Sequence, residues 1–231
     1  MRRTQAAVII FICSQEAPTE TVDILDCRGR KTGEIISREE AHRSGVWHGA
    51  FHCIIFYERD GISLALFQKR SARKKIAPGR FDVSVGGHYA SGEDAATAGP
   101  REIFEELGIE VRFEELVSVG KRVFVYGFTP GVRDYEFQDI FLLHRPVQAS
   151  ELVLQREELD GVFELGVDSG IHLFSGKEQR VGGLFHPNNG SSTEPMQMST
   201  ADFVSSLDNY YLKLLLLVRR YLNGEREMLV I

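Results

Sequence analysis

Seven specified residues at fixed spacing constrain this chain more than any other feature: Gly87, Glu93, Arg101, Glu102, Glu105, Glu106 and Gly108. At usage frequencies of several per cent each, such a coincidence arises about once in 10⁸ starting positions. An isolated Glu-Glu pair would read as a solvated helix face; the full spacing does not. Positions three and four apart share one face of a helix, so Glu102, Glu105 and Glu106 project together. Converging carboxylates repel and hold one another's protons, and a hard divalent cation removes that penalty. An all-oxygen donor set selects Mg²⁺, Mn²⁺ or Ca²⁺ over zinc or copper. Arg101 stands four residues before Glu105 and can hold that carboxylate in place. Gly108 fits a left-handed residue that stops the helix. Ile103, Phe104 and Leu107 supply core anchors, and Gly87 ends a strand where the missing side chain lets a carbonyl approach the metal.

The flanking segments read as alternating strands and helices. Residues 22–27 and 34–36 form strands around a glycine turn, and Ser37-Arg38-Glu39-Glu40 is a capping-box pattern that opens a short helix. Residues 51–57 and 62–68 make a hairpin about Arg59-Asp60-Gly61. A basic loop over 69–80 leads to a strand at 81–85, the acidic helix, and strands near 110–113, 122–128 and 137–144. The fold class is therefore α+β. Beyond residue 170 the Gly-, Asn-, Ser- and Pro-rich stretch 182–195 predicts a loop. Ser199 and Thr200 offer N-caps for a long helix over 201–222, closed by Gly224. Residues 214–218 are apolar around the whole helix, which demands burial against the main domain or in a subunit interface, so a homodimer is expected as one solution.

The stretch 87–109 is identified as a Nudix box, Gly-x5-Glu-x7-Arg-Glu-U-x-Glu-Glu-x-Gly-U with U apolar, and residues 22–170 resemble a Nudix domain throughout. The resemblance implies an α/β/α sandwich with a mixed sheet, preceded by a tail (1–21) and followed by a C-terminal helical extension (171–231). It implies Mg²⁺- or Mn²⁺-dependent hydrolysis of a diphosphate linkage, with Gly87, Glu102, Glu105 and Glu106 as metal ligands and Arg101 supporting them. Asp26-x-x-Gly29, Ser37-Arg38-Glu39, Trp47-His48-x-Ala50-Phe51, Gln68-Lys69-Arg70-Ser71, Pro78-Gly79 and Val85-Gly86-Gly87-His88 resemble the subfamily related to isopentenyl diphosphate isomerase. Asp202-Phe203 and the run 208–213 extend that likeness towards the C-terminus. His48 and His88 fall at isomerase metal-ligand positions, and a role in packing or hydrogen bonding is the alternative. In those isomerases a catalytic cysteine stands two residues before the histidine, where this chain has Gly86. Gly99-Pro100 departs from the family's helix formers, so a kink, or a helix whose regular part begins near Pro100, is expected.

Hydrolysis also needs a general base, often a downstream glutamate in this family, and Glu157 and Glu158 are the candidates. Arg70, Arg73, Lys74 and Lys75 form a basic cluster suited to an anionic diphosphate, with Arg70 and Lys74 taken as substrate-binding. The formal net charge of −6 argues against a nucleic acid polymer as partner and leaves a small diphosphate, in a nucleoside diphosphate-X or similar compound. Three cysteines, Cys13, Cys27 and Cys53, suit a reduced, cytoplasmic protein without zinc. Arg2 and Arg3 before the apolar run 6–13 look faintly like a signal peptide, but the run is too short and lacks a cleavage site. Nothing approaches the roughly 20 apolar residues of a membrane span. An isomerase and a catalytically dead Nudix module remain as competing functions; dead copies need not keep all four charged residues of the box helix.

Overall fold

The computed structural model describes residues 20–188 and 190–231. The expectations for Arg2, Arg3, the run 6–13 and Cys13 lie outside them. Along the chain run β1 (Thr21–Leu25), β2 (Lys31–Ser37), α1 (Arg38–Ser44), β3 (Trp47–Arg59), β4 (Ile62–Arg70), β5 (Phe81–Asp82), β6 (Val85–His88), α2 (Ala95–Leu107), β7 (Val117–Tyr126), β8 (Asp134–His144), β9 (Leu159–Gly166), α3 (Val167–Phe174), β10 (Val181–Pro187), β11 (Glu194–Met198) and α4 (Tyr210–Leu222).

Alternation along the strands builds the layers. Phe51, Cys53 and Ile55 of β3, Leu66 of β4 and Phe141 and Leu143 of β8 face Ile103 and Leu107 of α2. Their neighbours Ile54, Phe56, Ala65, Phe67, Ile140 and Leu142 face the other way, onto α3 and α4. Helices therefore cover both faces of one mixed sheet, ordered β11-β10-β9-β4-β3-β1-β2, with β8 parallel to β3 and the other pairings antiparallel. This is an α+β sandwich. The β3–β4 hairpin turns at Asp60 (φ 53°) and Gly61 (φ 75°), both in the left-handed region that a two-residue turn of matching twist requires.

Five local expectations are corrected. The stretch 182–195 is no loop: β10 and β11 form a hairpin that extends the sheet beside β9. Its glycines serve close strand packing, since a Cβ on Gly183 would stand 2.4 Å from the Glu164 carbonyl and the Phe163 ring. The helix over 201–222 begins only at Tyr210. Ser199 and Asp202 close a capping box around a single 3₁₀ turn, Thr200–Asp202, and Phe203 then runs extended beside β5, where the Val204 amide donates to the Phe81 carbonyl at 2.9 Å. Residues 110–113 form no strand; a 3₁₀ turn, Phe113–Glu115, precedes β7. Phe104 is 53% exposed and anchors nothing in the core. α2 starts at Ala95, not near Pro100, because Asp94 caps it by accepting from the Thr97 amide. Gly99 lets that helix approach β3 closely, a Cβ there standing 2.7 Å from the Phe51 ring.

The apolar stretch of α4 is buried within the chain itself. Leu214, Leu215, Leu217 and Val218 pack on the sheet and on α3, so the need for burial is met without a second copy. None of the helices among the described residues is long and apolar enough to cross a membrane.

Candidate active site

β3 changes partner along its length, and this creates the site. Its last residues, from Ile55, pair with β4, whereas Ala50–Cys53 pair with β6. Where β4 and β6 part, a cavity of about 470 Å³ opens, lined by residues from β6, α2, the basic loop 70–77 and the segment 204–206. All of Arg101, Glu102, Glu105, Glu106, Glu157, Glu158, Arg70, Lys74 and Gly87 line it.

α2 presents its carboxylates at the floor. Glu102 and Glu106 are buried, while Glu105 is exposed. The Glu102 carboxylate lies directly over Gly87, where a Cβ would come within 2.0 Å of its carboxyl carbon. Any side chain there would displace the Glu102 carboxylate from its place. Glu106 Oε2 receives weak hydrogen bonds from the Gly86 amide (3.4 Å) and Gln68 Nε2 (3.3 Å). Burial pushes both carboxyls up, and Glu102 adds to the rise at Glu106. Two desolvated carboxylates on one helix face are a donor set that a hard divalent cation would complete.

Arg101 does more than steady Glu105. It grips Glu93 with two bonds (3.0 and 2.7 Å), and its Nη1 donates to Glu102 and Glu105, each at 3.0 Å. The guanidinium thus ties the loop before α2 to two of the box carboxylates. Of the basic cluster, Lys74 is ion-paired with Glu158 and Lys75 with Glu39. Arg70 donates to the Ile76 carbonyl and faces Asp82 at 3.7 Å, so it shapes the loop. Arg73 is exposed at the rim.

A second cluster stands beside the first. Ligand atoms of His42, His48, His88, Asp134 and Glu136 lie within 4.8 Å of one another. His88 Nε2 is 2.9 Å from Glu136 Oε1 and 3.3 Å from His42 Nε2. His48 Nε2 and Asp134 Oδ1, 3.3 Å apart, are buried without a well-aligned hydrogen bond. Burial pushes the Glu136 carboxyl up, but the hydrogen bond from His88 and the surrounding imidazoles outweigh it and hold the group well below the usual range. Three imidazoles and two carboxylates with orphaned polar atoms fit a divalent transition metal such as Mn²⁺ or Zn²⁺. The sequence reading reached His48 and His88 but missed His42, Asp134 and Glu136. A partial signal was present, since Asp134 and Glu136 stand two apart on one strand face, whereas His42, in the last turn of α1, joins them only through the docking of that helix.

A NUDIX domain model matches residues 46–173, more than half of the chain. The chain belongs to the Nudix family. A Nudix hydrolase of Clostridium acetobutylicum is 35% identical over 72% of this chain and 78% of that protein. An isopentenyl-diphosphate Δ-isomerase of Aliivibrio fischeri is 28% identical over 62% of this chain and 78% of its own length. A crystal structure from Deinococcus radiodurans covers 69% of this chain and 91% of its own, at 22% identity and a TM-score of 0.50, and shares the fold. This Nudix protein is an enzyme of the hydrolase group, whose members are generally pyrophosphohydrolases that use a divalent metal.

Proposed function

We propose that this Nudix hydrolase cleaves the diphosphate linkage of a nucleoside diphosphate-X or similar small organic diphosphate, with Mg²⁺ or Mn²⁺ held by Glu102, Glu105, Glu106 and the Gly87 carbonyl. The observation that carries this reading is the pair of buried carboxylates, Glu102 and Glu106, facing a cavity with the exposed Arg73 at its rim. When bound, the cation neutralises diphosphate oxygens and acidifies a water.

The chain's own groups supply the rest. Arg73 and Lys74 draw the dianionic group to the cavity mouth, where low dielectric walls strengthen their field. Arg101 keeps Glu102 and Glu105 aimed at one point. Of the two candidate bases we assign Glu157, which lines the cavity and has no ion pair among the described residues, while Glu158 is occupied by Lys74. Its carboxylate accepts the proton as the water oxygen attacks phosphorus in line and the bridging oxygen leaves with the other phosphate. Phosphate or nucleotide release from a panel of nucleoside diphosphate sugars, dinucleotides, nucleotide coenzymes and isoprenoid diphosphates, with and without Mg²⁺, tests the reading. Metal-independent release, or none from any compound, would refute it.

A second reading draws on the complete His42, His48, His88, Asp134 and Glu136 cluster, two of whose histidines match isomerase metal positions. Isomerisation must protonate an unactivated double bond and take a proton elsewhere, and Gly86 has no side chain to take part. Cys53 is no substitute, being fully buried in β3 with its thiol pushed up by that burial. Incubation with isopentenyl diphosphate and Mg²⁺, followed by NMR, is expected to show no dimethylallyl diphosphate.

A further inference from the structure

The absent side chain at Gly86 leaves a notch in the cavity wall, and the groups around it are polar. A Cβ at Gly86 would lie 3.2 Å from His52 Nε2 and 3.8 Å from Gln68 Nε2. The same glycine's amide and the Gln68 amide both reach Glu106, so the notch adjoins the box carboxylates. His52 and Gln68 are buried, at 8% and 2% exposure, and His52 lines the cavity.

The proton on the imidazole can be placed. Tyr210 is fully buried on α4, and among the described residues the one hydrogen-bond partner of its phenol is His52 Nδ1 at 3.2 Å. A buried O–H donates where it can, so Nδ1 accepts and Nε2 carries the hydrogen. Nε2 has no partner among the described residues. It therefore aims an N–H at the notch, while Gln68 Nε2 donates to Glu106 behind it. Burial pushes the imidazole's protonation down, against the opposing pull of Asp82 and Glu136, which favours the neutral ring.

We infer that the Gly86 notch is an oxyanion subsite in which His52 Nε2–H donates to a non-bridging oxygen of the bound diphosphate. A neutral donor suits this position. It stabilises phosphoryl oxygen without touching Glu102 or Glu106, and being fixed in place it needs no reorganisation. The notch requires glycine, because a methyl group would stand where the oxygen sits.

The inference rests on the diphosphate reading but not on turnover. The probe is imidodiphosphate with Mg²⁺, added to the full chain with ¹⁵N-labelled histidine. The His52 Nε2 resonance is expected to shift on saturation. His52→Asn keeps a polar atom near Tyr210 but removes the donor, and Gly86→Ala fills the notch at a backbone position that is not left-handed. Each is expected to weaken imidodiphosphate binding by about tenfold, the loss typical of one hydrogen bond to a charged group, with little change in melting temperature for Gly86→Ala. A role confined to packing would instead lower melting temperature and leave binding intact. Binding that leaves the His52 resonance and Gly86→Ala affinity unchanged overturns the inference, as does no binding at all. Binding with the expected shift, but no phosphate released from any diphosphate supplied, would sink the hydrolase reading and leave the subsite standing.

Discussion

Gly87 and Glu102 occupy one space between them, and that relation makes both residues readable at the scale of single atoms. A Cβ 2.0 Å from the Glu102 carboxyl carbon cannot be accommodated without moving the carboxylate. Gly87→Ala is therefore expected to lower turnover as strongly as loss of a metal ligand, while α2 and β6 still form. Glu106→Gln is expected to lower turnover by about a hundredfold or more, because a neutral amide no longer offsets cation charge worth several kcal/mol in the transition state. Steady-state kinetics with circular dichroism checks both; either variant turning over at the wild-type rate would remove α2 from the metal site. Glu157→Gln should reduce kcat and Glu158→Gln mainly stability, the reverse outcome transferring the base role to Glu158.

At the scale of elements, the outer part of the sheet is fastened by a buried carboxylate. Glu164 on β9 accepts from Tyr57 of β3, from both Nη atoms of Arg59 (2.8 and 2.9 Å) and from His186 of β10 (2.9 Å). Burial raises its pKa, but these donors, led by Arg59, outweigh burial and hold it below the usual carboxylate range. A carboxyl depressed in the folded state contributes stability above its unfolded pKa, and that contribution is lost as pH falls through the folded value. Glu164→Gln should destabilise by about 3 kcal/mol at neutral pH, since it leaves Arg59 and Tyr57 without an anion. The difference from wild type should shrink in acid. Urea melts at neutral and acidic pH measure it, and a constant difference would assign the loss to packing. α4 belongs to the same scale: Leu215→Ala should cost about 2–5 kcal/mol, as a side chain fully enclosed by α3 and the sheet leaves a cavity behind.

Across the whole molecule, the C-terminal segment reaches back into the site. Asp208 holds Arg122 with two bonds (2.9 and 3.0 Å), Arg122 Nη1 donates to Gln138 at 2.8 Å, and Gln138 Nε2 donates to Glu136 at 2.5 Å. Arg122 also lies flat over the Tyr210 ring, 4.0 Å from its centroid, and Tyr210 is the partner of His52. Residues more than 80 positions from β7 in sequence thus orient both the histidine cluster and the notch. Asp208→Asn is expected to weaken Mn²⁺ binding at that cluster by about tenfold, the lower end for loss of a residue supporting metal ligands. Isothermal titration of the metal-stripped protein measures this, and an unchanged affinity would show that Glu136 is set without Arg122.

Two determinants of this protein are local, and the sequence alone determined them. Helical periodicity and a fixed motif put Glu102 and Glu106 on one face, and continuous β-rich runs over 51–57 and 62–68 about a glycine turn prescribed the β3–β4 hairpin. Caps at Ser37 and Gly108 act within a few residues, so the start of α1 and the end of α2 were legible, whereas the start of α2 at Asp94 was not. Tertiary structure decided what depends on approach between distant strands. Gly183 reads locally as a loop former, yet it sits under Phe163 because β9 and β10 pack too closely for a side chain. Ser199 reads locally as a helix cap, yet burial of Phe203 beside β5 outweighs propensity and delays α4 to Tyr210. His42, Asp134 and Glu136 meet only because α1 docks beside β8 and β8 lies parallel to β3, a pairing that no short-range pattern encodes.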